Sequence, residues 1–166
     1  MNEIELVAVE DSPETTGELY RLLAEYGHFM YHDLKLSAGR QTFFKQLHEL
    51  PGEDYRPPGG TFILAKFEGM PAGCTGLRKL TSDTCEIKRM YVRPVFRRKG
   101  IARMLCHYSI SWALRAGYKK IRLDTNEEMR EAVLLYGSVG FKETAPYCSN
   151  ENEHPLFMEY VLPVSE

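Results

Sequence analysis

Residues 89–103 read RMYVRPVFRRKGIAR, and this stretch decides the fold. Its first residues favour an extended strand up to Val92, and Pro94 ends that strand because proline lacks the backbone N–H that a sheet needs. Beyond the basic turn, apolar residues recur at the spacing of one helix face, at Ile101, Met104, Leu105, Tyr108 and Trp112. The stretch therefore predicts a strand, a turn and a helix from about Arg98 to Arg115.

The turn between this strand and this helix has the chemistry of an anion site. Three consecutive cations, Arg97, Arg98 and Lys99, precede Gly100, which has no side chain to keep a ligand away from the backbone. The first N–H groups of a helix lack acceptors within it, and the helix dipole makes that end positive. The turn is therefore predicted to bind a pyrophosphate.

Composition and charge narrow the functional class. The chain has 166 residues, 43% hydrophobic and 27% charged, which suits one domain over residues 1–166. A net charge of -2 gives no general attraction to nucleic acid, yet residues 87–123 lack Asp and Glu and hold eleven of the 21 Lys and Arg. This basic block fits a compact polyanion better than a long duplex. A solvated basic face and a nucleic-acid-binding module are the alternatives.

Other features of the sequence predict a cytoplasmic protein without a membrane partner. No segment approaches 18 uninterrupted apolar residues, and the start MNEIELVAVE has neither a basic leader nor an apolar signal core. The four cysteines, Cys74, Cys85, Cys106 and Cys148, lack C-x-x-C spacing, so we expect reduced thiols, mostly in the core. No metal is expected.

Three ordered segments resemble one known family. Arg97-Arg98-Lys99-Gly100-Ile101-Ala102 is similar to the acyl-CoA-binding motif of the GNAT superfamily of N-acetyltransferases, in which Arg or Gln is followed by two residues, Gly, one residue and Gly or Ala. The preceding segment 85–94 resembles the central strand of that family. Downstream, Ala132 to Tyr136 and then Gly140-Phe141 resemble its second motif. The resemblance extends from about Thr61 to Phe141 and implies an acetyl-CoA-dependent enzyme.

The elements read from the sequence follow the order β-α-α-β-β-β-α-β-α-β-β, which the resemblance also implies. Ser12-Pro13 supplies an N-cap and a first helical proline for the first helix, and Thr61 to Phe67 is the first of three consecutive strand candidates. The predicted fold class is α/β (α+β), GNAT-like, with a mixed, mostly antiparallel sheet, helices on both faces and a central pair of parallel strands. Acetyl-CoA would bind in a V-shaped opening between the strands that end at Val92 and Leu123. The predicted helix after the second of these strands begins with a capping box at Thr125 and Glu128.

The resemblance implies roles for particular residues. Glu86 on the central strand would take the proton of the acceptor ammonium, directly or through water, and Tyr136 would protonate the departing thiolate. Their alternatives are a surface carboxylate paired with Arg78 or Lys88, and a core aromatic. A bulge in the strand would free a backbone N–H for the acetyl carbonyl. The predicted cofactor-binding residues are Met90, Tyr91, Val92, Arg97, Arg98, Lys99, Gly100, Ile101, Ala102 and Arg103.

One position departs from the pattern of the family. Seven residues before the Tyr, many relatives carry an Asn that contacts CoA, whereas this chain has Met129. Asn126 lies nearby and is equally suited to a helix cap.

The predicted acceptor is a primary amine of a small molecule, attacked in a ternary complex. Arg78 and Lys88 would place positive charge near Glu86 and favour an amine that carries a carboxylate, with Tyr31 and Tyr147 closing over it. The connection PGEDYRPPGG, residues 51–60, is expected to cover the site, which disfavours a peptide. A protein N-terminal or lysine acetyltransferase and a non-catalytic acyl-CoA-binding module are the alternatives, and a homodimer is left open.

Overall fold

The computed structural model describes residues 3–9 and 12–164. Their helices and strands follow the predicted order. The strands are β1 Ile4–Ala8, β2 Thr61–Phe67, β3 Met70–Lys79, β4 Thr84–Val92, β5 Lys120–Asn126, β6 Lys142–Glu143 and β7 Pro155–Val161, and the helices are α1 Pro13–His28, α2 Arg40–Gln46, α3 Ile101–Arg115 and α4 Arg130–Val139.

The seven strands form one sheet in the order β1-β2-β3-β4-β5-β7-β6. Every pairing is antiparallel except that of β4 with β5, which is parallel. This parallel ladder joins only Thr84–Glu86 to Lys120–Arg122. Beyond Glu86 the two strands no longer pair, so the sheet opens at its centre, as the V-shaped opening requires.

Local sequence explains several of the observed boundaries. Ser12 caps α1, because its side chain accepts a hydrogen bond from the backbone N–H of Thr15 at 3.2 Å, and Pro13 occupies the first helical position. Between β2 and β3, Glu68 and Gly69 have φ of 50° and 81°, the left-handed values of a tight hairpin turn. A π-helical segment, Phe29–Asp33, extends α1 towards the opening of the sheet.

The start of α4 corrects the predicted capping box. Thr125 and Asn126 continue β5, where they pair with Leu156 and Pro155 of β7, and α4 begins only at Arg130. Pairing with a neighbouring strand satisfies these backbone groups, so the local capping signal is overridden. The α3 helix likewise begins at Ile101, three residues later than expected, because Arg98 and Gly100 have φ of 61° and 84°.

Apolar side chains cover both faces of the sheet. One cluster packs α1 and α2 against β2, β3 and β4, and two others pack α3 and α4 against the opposite face. Cys74, Cys85 and Cys106 are buried and carry free thiols, which confirms their expected place in the core, whereas Cys148 is exposed.

Candidate active site

Two cavities lie at the opening between β4 and β5. The first, of about 380 Å³, faces α1, α2 and the segment 149–152, and the second, of about 340 Å³, runs between the end of β4 and the N-terminal ends of α3 and α4. Five residues line both: Tyr26, Met90, Met129, Ala132 and Tyr136. The two cavities therefore meet at the centre of the sheet.

The second cavity contains much of the predicted cofactor-binding set. Met90, Tyr91, Val92, Arg97 and Ala102 line it. The Arg97 side chain donates a 3.0 Å hydrogen bond to the carbonyl of Val92 and lies over the Phe29 ring at 5.4 Å, which fixes the corner between strand and turn.

The turn itself has the geometry of an anion site. The first bond of α3 runs from the N–H of Met104 to the carbonyl of Gly100, at 3.0 Å. Within the described part of the chain, the amides of Ile101, Ala102 and Arg103 have no backbone acceptor. An ideal Cβ on Gly100 would meet nothing within 4 Å, so only its φ of 84° calls for glycine in the free protein.

The side chains of the turn have several partners. Arg98 is exposed and lies 3.9 Å from Glu131, Lys99 stacks over Phe67, and Arg103 donates to the hydroxyl of Ser138. The Arg98 contact is an exposed, long ion pair, which contributes little stability. Its cation is therefore available to a phosphate.

Strand β4 contains a bulge within the opening. The register against β3 shifts between Cys74–Tyr91 and Gly76–Lys88, so one extra residue lies on β4, and Arg89 has a φ of 59°. The expected bulge therefore exists, one residue earlier than the segment Met90–Val92 named from the sequence. Because of the bulge, the consecutive residues Ile87–Met90 all line the first cavity. In a regular strand their side chains would point to alternate faces of the sheet.

Tyr136 lies where the two cavities meet. Its side chain is 6% exposed, and its hydroxyl donates a 3.7 Å hydrogen bond to the thioether sulfur of Met90. Burial, reinforced by Cys106 and Tyr26, raises the pKa of Tyr136 well above its usual value. This hydroxyl therefore keeps its proton at neutral pH and already faces a sulfur atom.

Glu86 is the centre of a buried charge network. It is 1% exposed, and its carboxylate accepts from Arg78 Nε at 2.8 Å and from the Tyr147 hydroxyl at 2.6 Å, with Lys88 Nζ at 3.8 Å. Burial and the Glu86 charge raise the pKa of Tyr147, so its hydroxyl remains a donor. The network brings together three of the four predicted acceptor residues, but as partners of Glu86.

The wall of the first cavity differs from the one expected. Tyr31 and Lys88 line it, whereas Glu86, Arg78 and Tyr147 do not. Lys88 Nζ lies 2.8 Å from Asp124 of β5, and the charges of Glu86 and Asp124 outweigh burial and raise the pKa of Lys88. The cations that were predicted to attract a carboxylate are thus already neutralised by acidic side chains.

Three residues that sequence reasoning did not assign to the acceptor site also line the first cavity. Asp124 is the first acidic residue after the acid-free stretch 87–123 and directly follows the strand predicted to end at Leu123, a signal that was available. Asn126 is 5% exposed, and its side-chain oxygen has no hydrogen-bond partner among the described residues. Arg89 enters the cavity because of the bulge, which the sequence does not reveal.

The connection of residues 51–60 does not cover the site as expected. Its Tyr55 is buried and stacks on Phe62 at 4.2 Å, and no residue of the connection lines either cavity. The segment 36–39 and residues 149–152 bound the first cavity instead.

In the described part of the chain, two clusters offer three metal-ligating atoms within 4.8 Å of one another: Glu86 with Asp124 and Cys148, and the exposed His28, His32 and Asp33. In the first cluster the ammonium of Lys88 already supplies positive charge. That the protein needs no metal stays a prediction.

No helix in the described ranges 3–9 and 12–164 combines the length and the apolar character needed to cross a bilayer.

Comparison with known proteins agrees with this architecture. Residues 18–141 match the acetyltransferase (GNAT) family. The chain is 31% identical over 139 residues to the uncharacterized N-acetyltransferase YjgM of Escherichia coli, which covers 82% of this chain and 79% of that protein. The chain therefore belongs to the GNAT family, and its fold is that of the acetyl-CoA-dependent N-acetyltransferases.

Two further proteins are similar to this chain, one over nearly its whole length and one over about half of it. The protein yncA of Salmonella typhimurium, solved with its cofactor acetyl-CoA, has a TM-score of 0.75 and 18% identity, and the match covers 99% of this chain and 96% of that one. The N-acetylaspartate synthetase of Danio rerio is 34% identical over 96 residues, 55% of this chain, and the match covers only 34% of that protein.

Proposed function

We propose that the protein transfers the acetyl group of acetyl-CoA to a primary amine of a small molecule, by direct attack in a ternary complex. The observation that carries this proposal is the meeting of two cavities at Met90 and Tyr136. Donor and acceptor can enter from opposite sides and react where the cavities join, so no covalent enzyme intermediate is needed.

The donor side would be held by the turn and by β4. Arg98, Lys99 and the free amides at the start of α3 would bind the phosphates, because a helix N-terminus and nearby cations both favour an anion. The edge of β4 from Met90 to Val92 lacks a pairing partner in β5 and would bind the pantetheine arm. When bound, acetyl-CoA supplies the activated acetyl group.

Tyr136 would act as the general acid. The hydroxyl that now donates to the sulfur of Met90 would donate to the sulfur of the leaving thiolate as the carbon–sulfur bond breaks. Its raised pKa ensures that the proton is present at neutral pH.

Asp124 would take one proton from the acceptor ammonium before attack, because it lines the acceptor cavity, and the freed lone pair of the nitrogen would form the bond to the acetyl carbon. The second proton that the nitrogen loses would replace the one that Tyr136 gives to the leaving sulfur. The oxygens of Asp124 accept from Lys88 at 2.8 Å and from Asn150 at 3.1 Å, which fixes the carboxylate in place. Glu86, the base expected from the family resemblance, would then act without direct contact, through Lys88 and Tyr147. Its catalytic contribution is thus proposed as that of a positioning residue.

The size and boundaries of the acceptor cavity support a small acceptor. Its volume of about 380 Å³ lies within the range of small-molecule pockets, and the segments 36–39 and 149–152 bound it on the outside. The relative from Danio rerio is named an N-acetylaspartate synthetase, and this name indicates a small acceptor for that protein. A cytoplasmic location remains part of the proposal.

The proposal is tested by release of the CoA thiol with a panel of amines, with the N-acetylated product identified by mass spectrometry. The panel should contain amino acids, alkylamines, polyamines and short peptides. If a peptide is acetylated in preference to every small amine, the acceptor is a protein and not a small molecule.

A further inference from the structure

The acceptor cavity contains one cation that no acidic side chain neutralises. Arg78 is paired with Glu86, Lys88 with Asp124, and Arg93 with Glu25. Arg89, the remaining cation of β4, has no ion-pair partner among residues 3–9 and 12–164, although it lines the cavity.

The position of the Arg89 guanidinium is fixed by its neighbours. It lies over the ring of Phe43 at 5.0 Å and beside that of Tyr55 at 5.8 Å, and one of its nitrogens donates to the side-chain oxygen of Gln46. A guanidinium has five N–H donors, so several remain for a ligand. A cation that is stacked and oriented in advance loses little conformational freedom when it binds a planar anion.

The electrostatic effect of Arg89 reaches the cavity wall. Burial raises the pKa of Tyr31 and of Tyr55, and the positive charge of Arg89 is the largest influence that opposes it. The charge of Arg89 therefore acts on both hydroxyls, although burial outweighs it.

A second group of the cavity lacks a partner. The side-chain oxygen of Asn126, on β5, is buried without a hydrogen bond in the described chain, and an N–H of the acceptor would satisfy it. The cavity thus presents a guanidinium on β4 without an acidic partner in the described chain, and a neutral oxygen acceptor on β5 without a donor there.

We propose that Arg89 binds a carboxylate of the acceptor, so that the acceptor is an amino acid or another compact amine that bears a carboxylate. This inference rests on the proposed acetyl transfer and specifies its substrate class. It replaces Arg78 and Lys88, named from the sequence, by Arg89, the cation in the bulge of β4. A bidentate Arg–carboxylate pair would orient the acceptor with its amine towards Asn126 and Asp124.

The test uses the common L-amino acids, and for each the matching amide and decarboxylated amine. Thiol release gives kcat/KM, and melting of the protein with CoA and each compound gives binding without turnover. We expect at least one amino acid to exceed its amide by about 10-fold to 100-fold in kcat/KM, because a charge-assisted hydrogen bond is lost in the amide.

Variants at Arg89 make the test specific. Arg89→Gln should remove this preference by lowering kcat/KM for the amino acid far more than for its amide or its decarboxylated amine, with the stabilisation by acetyl-CoA retained, and Arg89→Lys should restore part of the preference. Arg115→Gln, at the far end of α3, is the control. The inference is overturned if amides are acetylated and bound as well as the acids, or if Arg89→Gln leaves the preference intact.

The two proposals fail in distinguishable ways. If no amine releases thiol, acetyl transfer is wrong, and the melting experiment with CoA still decides whether Arg89 binds carboxylates. If amines are acetylated without regard to a carboxylate, the transfer stands and the assignment of Arg89 is wrong.

Discussion

The ammonium of Lys88 lies 2.8 Å from the carboxylate of Asp124, and this ion pair joins β4 to β5 just beyond their last backbone pairing. The ladder ends at Glu86 and Arg122, and each partner of the ion pair lies two residues further along its strand. The pair therefore bridges the point where the sheet opens, and it places a carboxylate in the acceptor cavity.

Replacement of Asp124 should impair catalysis more directly than replacement of Glu86. Asp124→Asn removes the proposed base, and we expect kcat/KM at pH 7 to fall by roughly 10²-fold or more, with partial recovery at higher pH as free amine accumulates. Glu86→Gln should lower the rate less and change the melting temperature as well, because it leaves Arg78 with no charged partner in the buried network.

The pH–rate profiles of both variants and of the wild type measure this difference. If Glu86→Gln instead shows the large loss at pH 7 with partial recovery at higher pH, while Asp124→Asn retains wild-type turnover, the direct base is Glu86, as the family resemblance implies.

Loss of the Tyr136 hydroxyl should affect turnover and leave donor binding intact. Tyr136→Phe keeps the ring packed against Phe141 but removes the proposed proton donor, so kcat should fall by roughly 10²-fold with a nearly unchanged acetyl-CoA dissociation constant. Tyr20→Phe, on the exposed side of α1, is the matched control. If Tyr136→Phe keeps the wild-type kcat, Tyr136 acts only as an aromatic residue of the core.

Substitutions of two glycines at opposite ends of α3 separate donor binding from backbone strain. Gly100 and Gly117 have φ of 84° and 88°, and an ideal Cβ at either would meet nothing within 4 Å. Both Glu variants should therefore be strained, but only Gly100→Glu places a carboxylate where phosphates are proposed to bind.

Saturating acetyl-CoA, at about 100 times its dissociation constant, should stabilise the wild type and Gly117→Glu by about 2.7 kcal/mol and leave Gly100→Glu unaffected. Thermal melts with and without acetyl-CoA measure this. If acetyl-CoA stabilises the two variants equally, the turn does not bind the donor.

Stability should fall steeply in alkali because three thiols are buried. Burial raises the pKa of Cys74, Cys85 and Cys106 to about 12. Since these folded-state values lie above the unfolded value, their contribution is complete below about pH 9 and is lost between about pH 9 and 12. Within this window each thiol should lower the free energy of unfolding by about 1.4 kcal/mol per pH unit.

Denaturant unfolding under reducing conditions from about pH 8.5 to 10 tests this expectation. Cys106→Ala should have a shallower dependence on pH than the wild type, whereas substitution of the exposed Cys148 should change it less. The same slope in Cys106→Ala and in the wild type would contradict the assignment.

The helix and strand bounds that were predicted correctly are those marked by residues adjacent in sequence. The bounds of β2 match the prediction, Thr61 to Phe67, because its apolar run ends at a tight turn on one side and a glycine pair on the other. Ser12 and Pro13 likewise marked the start of α1. The capping box at Thr125 failed because the choice between helix and strand there depends on β7, whose Leu156 pairs with Thr125.

The candidate site was predicted in part for the same reason. The turn around Gly100 and the position of Tyr136 follow from short motifs, and Arg97 and Ala102 at the two ends of the turn line the same cavity as Tyr136. The role of Arg89 depends on a bulge and on which cations have acidic partners, and both are properties of the folded chain. Alternation along a regular strand would have directed Arg89 to the face opposite Lys88.

The central claim is tested most directly by thiol release and product mass measured together, with acetyl-CoA and the amine panel. We predict that at least one small amine causes thiol release above the rate of acetyl-CoA alone, with an equal amount of N-acetylated product. Binding of acetyl-CoA without thiol release on any small amine or peptide would contradict catalysis and indicate a non-catalytic acyl-CoA-binding protein.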